Sequence, residues 1–597
     1  MSRRVVLLIA LVTLALLGAA SAPWTLNPGG LAAAVTEHLE GRYGLAVTVS
    51  GRSTFALLPT PRVKFEEVSL AYPKQSLKAE GATLRGELRI LPLFLGRIEL
   101  SEIALNDARI TASAAALRQI DWARLFKDRM GETHARRLVL AASSIRWTDL
   151  PDAGLSDVNV LVNWSGAGDP LHAVGGALWR GEKIMVEQAS FDPIRLASDQ
   201  LSPLALTLSA PSGRLSLQGE AQIGDDPRFT GQSLVSATSL RDFARWSGIG
   251  LPFGSLMQAV AIEGDLSVNH RRISWPSVTV TLGYDTLEGT LAVRLDAERP
   301  VIAGTLAAGQ LDLSDFVRPL TQLRTGSGAW SEEAISLLQV TGNDLDLRLS
   351  AMKARLGNLH LGDMAASILV RPGRIEASLG RADFHEGTLK GRLSLVAQEK
   401  GVDVKSQGAF EGVNMASFLA EIGQPRWITG TAQGQFSLEG AGASPAEIAR
   451  RAQGRSTVTV KQGELVGLAL NDALKRVEKR PLSASLSWKG GRTPFDQAQA
   501  QLVIDGGIGE IVDSRISAPS LSTSLHGQVS LPERGLQMKV EVSPLTTSPN
   551  LAPAIVFDVS GGWDDIAITP DARSLIERSG AARPLFGAES APLATAQ

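Results

Sequence analysis

Apolar and polar side chains alternate in short runs along most of the chain. Leu45, Val47 and Val49 are separated by Ala46 and Thr48, Val63 and Phe65 by Lys64, and Ile98 and Leu100 by Glu99. Leu345, Leu347 and Leu349 enclose Asp346 and Arg348, while Leu389, Leu393 and Leu395 keep the same parity further on. In extended chain, residues two apart share a face, so each run predicts a strand with one oily and one wet side. Over Thr290–Asp296 the pattern places Leu291, Val293 and Leu295 on the apolar face and Thr290, Ala292, Arg294 and Asp296 on the other. Helical spacing is rare. Leu31, Val35 and Leu39 predict one helix, broken by Gly41 and Gly44. Ser444, Pro445 and Glu447 form a capping-box start, with Gly454 placed to end that helix; another runs from Asp571 to Gly580. The expectation is a mainly β protein with a few short helices.

The N-terminus departs from this pattern. Arg3 and Arg4 precede an uncharged apolar run from Val5 to Ala22, which predicts an export signal retained as a transmembrane helix. The arginines would stay in the cytoplasm and everything after Pro23 would cross the membrane. Ala20-Ser21-Ala22 offers a cleavage site as the alternative. The tail from Ala581 to Gln597 is rich in Ala and Pro and reads as disordered.

Internal similarity is irregular. Glu288-Gly289-Thr290-Leu291 returns as Glu386-Gly387-Thr388-Leu389. An apolar residue also recurs three before a phenylalanine, as Leu240 and Phe243, Leu313 and Phe316, and Met415 and Phe418. Unequal spacing between copies argues for repeated strand modules rather than a fixed-period solenoid.

Composition removes most chemistry. There is no cysteine, so no thiolate nucleophile, disulfide or thiolate metal site. Charges balance, 59 basic against 61 acidic, which gives no reason to expect nucleic acid as a partner. The 7 histidines show no pair at ligand spacing, and no phosphate-binding loop or nucleophile elbow is present. Lys475, Arg476, Lys479 and Arg480 form a basic cluster that reads as a solvated helix face. The reading is non-enzymatic, without metal or cofactor. One-sided strands suit a closed sandwich core as well as an open groove, and periodicity does not separate the two.

Some of these residues are familiar in their order. Leu57-Leu58-Pro59 with Pro61, an alternating strand, and Leu91-Pro92-Leu93 leading into Gly96-Arg97-Ile98-Glu99-Leu100 resemble the N-terminal region of the AsmA family. Gly289 to Leu313 resembles its central repeat, and Val458 to Leu536, with Gly463-Glu464-Leu465, Thr493 and Phe495, its C-terminal region. The resemblance implies an elongated, curled antiparallel β-sheet whose concave apolar groove takes phospholipid acyl chains. It implies a role in phospholipid transport and outer-membrane biogenesis or maintenance. On that reading residues 1–4 are cytoplasmic, 5–22 the anchor in the cell inner membrane, 24–130 the N-terminal region, 131–330 the central β-repeats and 331–570 the C-terminal β region, all periplasmic. Residues 571–580 are a short helix and 581–597 the tail. The groove candidates are the sixteen apolar strand residues named in the first paragraph, from Leu45 to Leu395. The rival reading is a scaffold that assists outer-membrane protein assembly by strand addition at exposed sheet edges.

Overall fold

The computed structural model describes residues 3–22, 24–25, 30–72, 77–95, 97–117, 120, 122, 135–224, 226–248, 258–296, 299–315, 325, 328–341, 344–472, 474, 489–545, 554–563 and 565–579. The basic cluster at 475–480 and the tail lie outside them, as do Gly96 and Phe316. The chain is mainly β-strand, and it divides into two compact units. One holds residues 1–249, 257–283 and 292–296; the other holds 250–256, 284–291 and 297–597.

In the first unit the helix Arg3–Ser21 is followed by a second helix, Leu31–Tyr43, closed by Gly44 at φ 68°. Gly41 falls inside that second helix and does not break it. Side chains of residues 3–9 lie outside the description, and among the described residues no helix is long and apolar enough to cross a membrane. From Leu155–Asn163 to Arg272–Leu282 each strand pairs antiparallel with the next. Ile98 lies just outside the strand Leu100–Asn106.

The expected antiparallel sheet carries one parallel joint in each unit. Leu100–Asn106 and Arg109–Ala112 both pair parallel with Arg137–Trp147. In the second unit Val301–Asp312 pairs parallel with Asp344–Leu356. Each joint follows a long connection, residues 113–136 and 313–343, and chain of that length returns a strand in the same direction where a tight turn reverses it. Elsewhere in the second unit neighbouring strands run antiparallel up to Asp565–Pro570.

The repeated Glu-Gly-Thr-Leu segments owe their glycine to close backbone approach. A Cβ on Gly289 would stand 2.0 Å from the Thr305 carbonyl oxygen, and one on Gly387 2.4 Å from that of Glu411. Gly454 has the same role and not the predicted one. The helix Pro445–Arg450 starts as expected, with Ser444 accepting from the Glu447 amide, but it ends without Gly454, which lies in the next strand 2.1 Å (as a Cβ) from the Ser437 oxygen. Leu240 and Phe243 lie in the helix Leu240–Ser247, and Met415 and Phe418 in the helix Met415–Glu421.

Two clusters close over. In the first unit Val35 and Leu39, from the helix Leu31–Tyr43, pack with Val47, Val63, Phe65, Leu84 and Leu100. In the second, Leu337 covers Leu345, Val370, Ile375, Leu395 and Val402. Removing the Phe65 ring, 1% exposed, would cost the first unit about 3–5 kcal/mol.

The second unit's parallel joint is fastened where its two strands end in register, Asp312 opposite Arg355, whose Nε donates to Asp312 Oδ2 at 3.0 Å. Partial burial pushes the Asp312 carboxyl up, but hydrogen bonds from Arg355 and Ser314 outweigh this and hold it at about 2. The folded value lies below the usual Asp value of about 3.9. The pair therefore stabilises the fold fully above that value and is lost as pH falls through the folded one. Urea unfolding of the wild type and Asp312→Asn should differ at neutral pH, converge between about pH 4 and 2, and coincide below that. A gap that persists in strong acid would exclude this carboxylate as its source.

Candidate functional site: an open apolar file on the first sheet

Directly registered residues on neighbouring strands share a face, so the pairings trace what lies along one side of the first unit. Phe65 stands opposite Leu84, Leu84 opposite Leu105, Leu105 opposite Leu140 and Leu140 opposite Val160. The file passes Gly175 to Val186 and Leu208, then runs on through Leu215, Val235 and Ile262 to Val280. At about 4.8 Å per strand this is roughly 50 Å of aliphatic surface crossing the strands. A second file beside it runs Ile103, Leu138, Val162, Ala173, Ala189, Leu206, Leu217.

Burial changes along the file. Phe65 and Leu84 are sealed, under the cluster that the helix Leu31–Tyr43 completes. From Leu105 to Val280 every non-glycine member is only half-buried. The helix thus plugs one end, and the rest of the apolar face is only partly covered by the described residues. Next to the plug lies a cavity of about 530 Å³, lined by Leu70, Leu84, Ile103, Leu105, Leu138, Val139, Leu140, Ile145, Leu155, Val158, Val160, Val162, Gly176, Ala177, Ile184 and Val186. That volume falls in the range of small-molecule sites. No side chain in its wall can donate or accept a hydrogen bond, so its chemistry suits hydrocarbon alone.

Two bulges keep the wall continuous. Between the pairs Leu140–Val160 and Ile145–Leu155 each strand carries one extra residue, at Ala142 (φ 48°) and Asp157 (φ 48°). The two offset each other, so register is regained five residues on. The Ala142 amide, displaced by its bulge, donates to Asn159 Oδ1 at 2.9 Å. Asn159 in turn donates to the Asp157 carbonyl at 2.9 Å. Buried Ser143 accepts from the Ala108 amide at 3.1 Å and donates to the Ala141 carbonyl at 2.8 Å, satisfying the backbone beside the parallel joint.

None of the sixteen candidates from the sequence lines this cavity. Val47, Val63, Phe65 and Leu100 lie in the closed cluster at the plug, with Leu45, Val49 and Ile98 packed on it. Leu345 and Leu395 belong to the closed cluster of the second unit, with Leu347 and Leu393 against it; Leu349 is buried and Leu389 half-buried. Leu291 and Val293 are half-buried and Leu295 is 42% exposed, one residue past the strand Asp285–Arg294. Ala292, expected on the wet face, is 6% exposed: a small side chain on that face is covered while the larger Leu295 is not.

Polar clusters elsewhere are locally satisfied. A cavity of about 610 Å³ near the turn Asn269–Arg272 gathers Arg228, Arg271, Arg272 and Arg294, but Asp226 pairs with Arg228 and His270, and Asp296 with Arg294. In the second unit the fold brings together two histidines far apart in sequence. His360 Nδ1 and His385 Nε2 stand 2.6 and 2.5 Å from the Glu421 carboxylate. Burial pushes that carboxyl up, and the hydrogen bonds from His360 and His385 outweigh it and hold it low. Among the described residues no group of three or more His, Cys, Asp or Glu is placed to hold a metal ion.

The AsmA family model matches residues 304–513. The chain carries an AsmA family domain. The match runs from within Val301–Asp312 to within Ile508–Ser517, so it begins at the parallel joint of the second unit. Comparison with curated proteins and with solved structures gives no significant match.

Coverage makes the open file distinguishable from a closed core at single residues. Val370, 0% exposed in the second cluster, should not accept a charge: Val370→Lys should destabilise its unit by about 3–5 kcal/mol. Val186→Lys on the file should cost under about 1 kcal/mol, because the lysine stem lies along the sheet and its ammonium reaches water. Equal losses in urea titrations would mean that the file is packed against protein.

Proposed function

We propose that the protein is a non-catalytic lipid-binding protein of the bacterial envelope, held in the inner membrane by the helix Arg3–Ser21 with its strands in the periplasm, and that it assists phospholipid transport and outer-membrane maintenance. One observation carries this reading: a file of aliphatic side chains that crosses the first sheet half-covered, with a cavity free of polar side chains at its plugged end. A water-exposed apolar band of that length is unfavourable unless something apolar covers it, at about 25 cal/mol for each Å² removed from water. Acyl chains match a surface that offers dispersion contacts and no hydrogen bonds, and their headgroups would remain in water at the rim. The AsmA family domain supports an envelope role in outer-membrane assembly or lipid transport. The apolar run Val5–Ala22 behind Arg3 and Arg4 supports the inner-membrane location.

Mass spectrometry of organic extracts from the full-length protein, purified in a detergent distinguishable from lipid, should find phospholipid at near-stoichiometric amounts. Leu140→Lys and Val186→Lys together should lower it severalfold while leaving thermal unfolding close to that of the parent. Protein free of lipid, or lipid unchanged in the double variant, would overturn the reading. Protease added to spheroplasts should digest the chain; full protection would overturn the topology.

A further inference from the structure

At one end of the first unit's sheet, large apolar side chains stand in water. The short helix Ile90–Phe94 follows the strand Leu77–Leu88 and buries none of its residues; Leu91 is 78% exposed, Phe94 82%, and Leu95, just beyond, 77%. A soluble surface seldom carries three such side chains within one turn. Their exposure does not come from a loose backbone. The Arg89 amide donates to the Glu99 carbonyl at 2.9 Å, and the Leu95 and Arg97 amides donate to that of Pro92 at 3.0 and 2.9 Å.

The turn is tied to the end of the N-terminal helix. The Leu88 amide donates to the Pro61 carbonyl at 2.7 Å, and in the same loop the Leu57 and Leu58 amides both donate to the Ala20 carbonyl at 3.0 and 2.9 Å. Trp24, 57% exposed, donates from its indole nitrogen to the Ala19 carbonyl at 2.9 Å. An apolar helix end, an indole and an apolar turn therefore share one end of the sheet, with Arg62 and Arg97 exposed beside them.

We propose that the turn Ile90–Leu95 is a second membrane contact, inserted at the interface of the bilayer that holds the helix Arg3–Ser21. The inference rests on the anchored reading above. Its occupant is lipid: the turn offers no polar partner to a protein, it adjoins an apolar helix end and an interfacial tryptophan, and its arginines complement anionic headgroups. Leu84, in the cavity wall, lies six residues before Ile90 on continuous chain. At about 3.3 Å per residue the cavity wall then lies within roughly 20 Å of the proposed membrane contact, close enough to receive a lipid that enters over the sheet rim.

The chain has no cysteine, so single labels can be placed without removing any. The full-length protein, reconstituted in phosphatidylethanolamine–phosphatidylglycerol vesicles, is labelled with an environment-sensitive fluorophore at Phe94→Cys, at Asp107→Cys beyond the far end of the strand Leu100–Asn106, and at Leu14→Cys in the helix. Brominated lipid should quench the label at 94 at least about threefold more than that at 107. Leu91→Asn combined with Leu95→Asn should abolish the difference without changing thermal unfolding. If the label at 14 is quenched and those at 94 and 107 respond alike, the proposal falls and the anchor stands. If the label at 14 also stays in water, the anchored reading falls and takes the proposal with it.

Discussion

Main-chain register is the constraint on which the rest of the first unit depends. Side chains alternate faces with a period of two, so a slip of one residue in any pairing would turn that strand's apolar set to the opposite side and cut the file. Leu105, Leu140, Val160 and Val186 line up only because four successive ladders keep parity. The paired bulges at Ala142 and Asp157 show how that parity survives irregularity. Each would shift its strand alone; opposed, they cancel, and the Asn159 side chain satisfies the amide that the bulge displaces. A polar side chain outside the apolar wall thus helps keep the wall apolar.

Alternation in the sequence was enough to read some of the strands. Val63 with Phe65 and Leu345 with Leu347 and Leu349 lie in strands as expected, and the helices at Leu31 and Pro445 start where their signals put them. What covers each apolar face was not legible, because the cover comes from elsewhere in the chain. Val63 and Phe65 are sealed by Val35 and Leu39, and Leu345 by Leu337. The clearest alternating runs marked closed clusters for a physical reason: unbroken alternation makes a strand that another element can cover evenly. The cavity wall draws on Leu140 with Ile145 and Val160 with Leu155, five residues apart and out of phase in a regular strand. Only the bulges bring them to one face. The parallel joints were hidden for a similar reason, since alternation carries no information about strand direction.

The two closed clusters and the open file use the same side chains at similar spacing. A few covering residues separate them. Where one turn of helix supplies Leu337, five strand residues become core; where the helix Leu31–Tyr43 ends, the file emerges half-covered. Sequence composition is blind to this difference, which explains why a closed sandwich and an open groove were equally consistent with the pattern alone.

The plug also constrains how a hydrocarbon ligand could move. With Phe65 and Leu84 sealed by Val35 and Leu39, the file is blind at that end, so a chain bound there enters sideways over the sheet rim or leaves along the open direction toward Val280. Movement in that direction meets no polar side chain in the file itself: from Val186 to Val280, beyond Gly175, each step exchanges one half-buried aliphatic contact for another. The free energy along such a path is nearly flat, because hydrophobic gain follows area and area changes little from strand to strand. A flat path has no preferred direction. Net transport along it would be set by conditions at its two ends, so on the proposed lipid-binding reading the position of the plugged end relative to a bilayer would carry more functional weight than any single residue within the file.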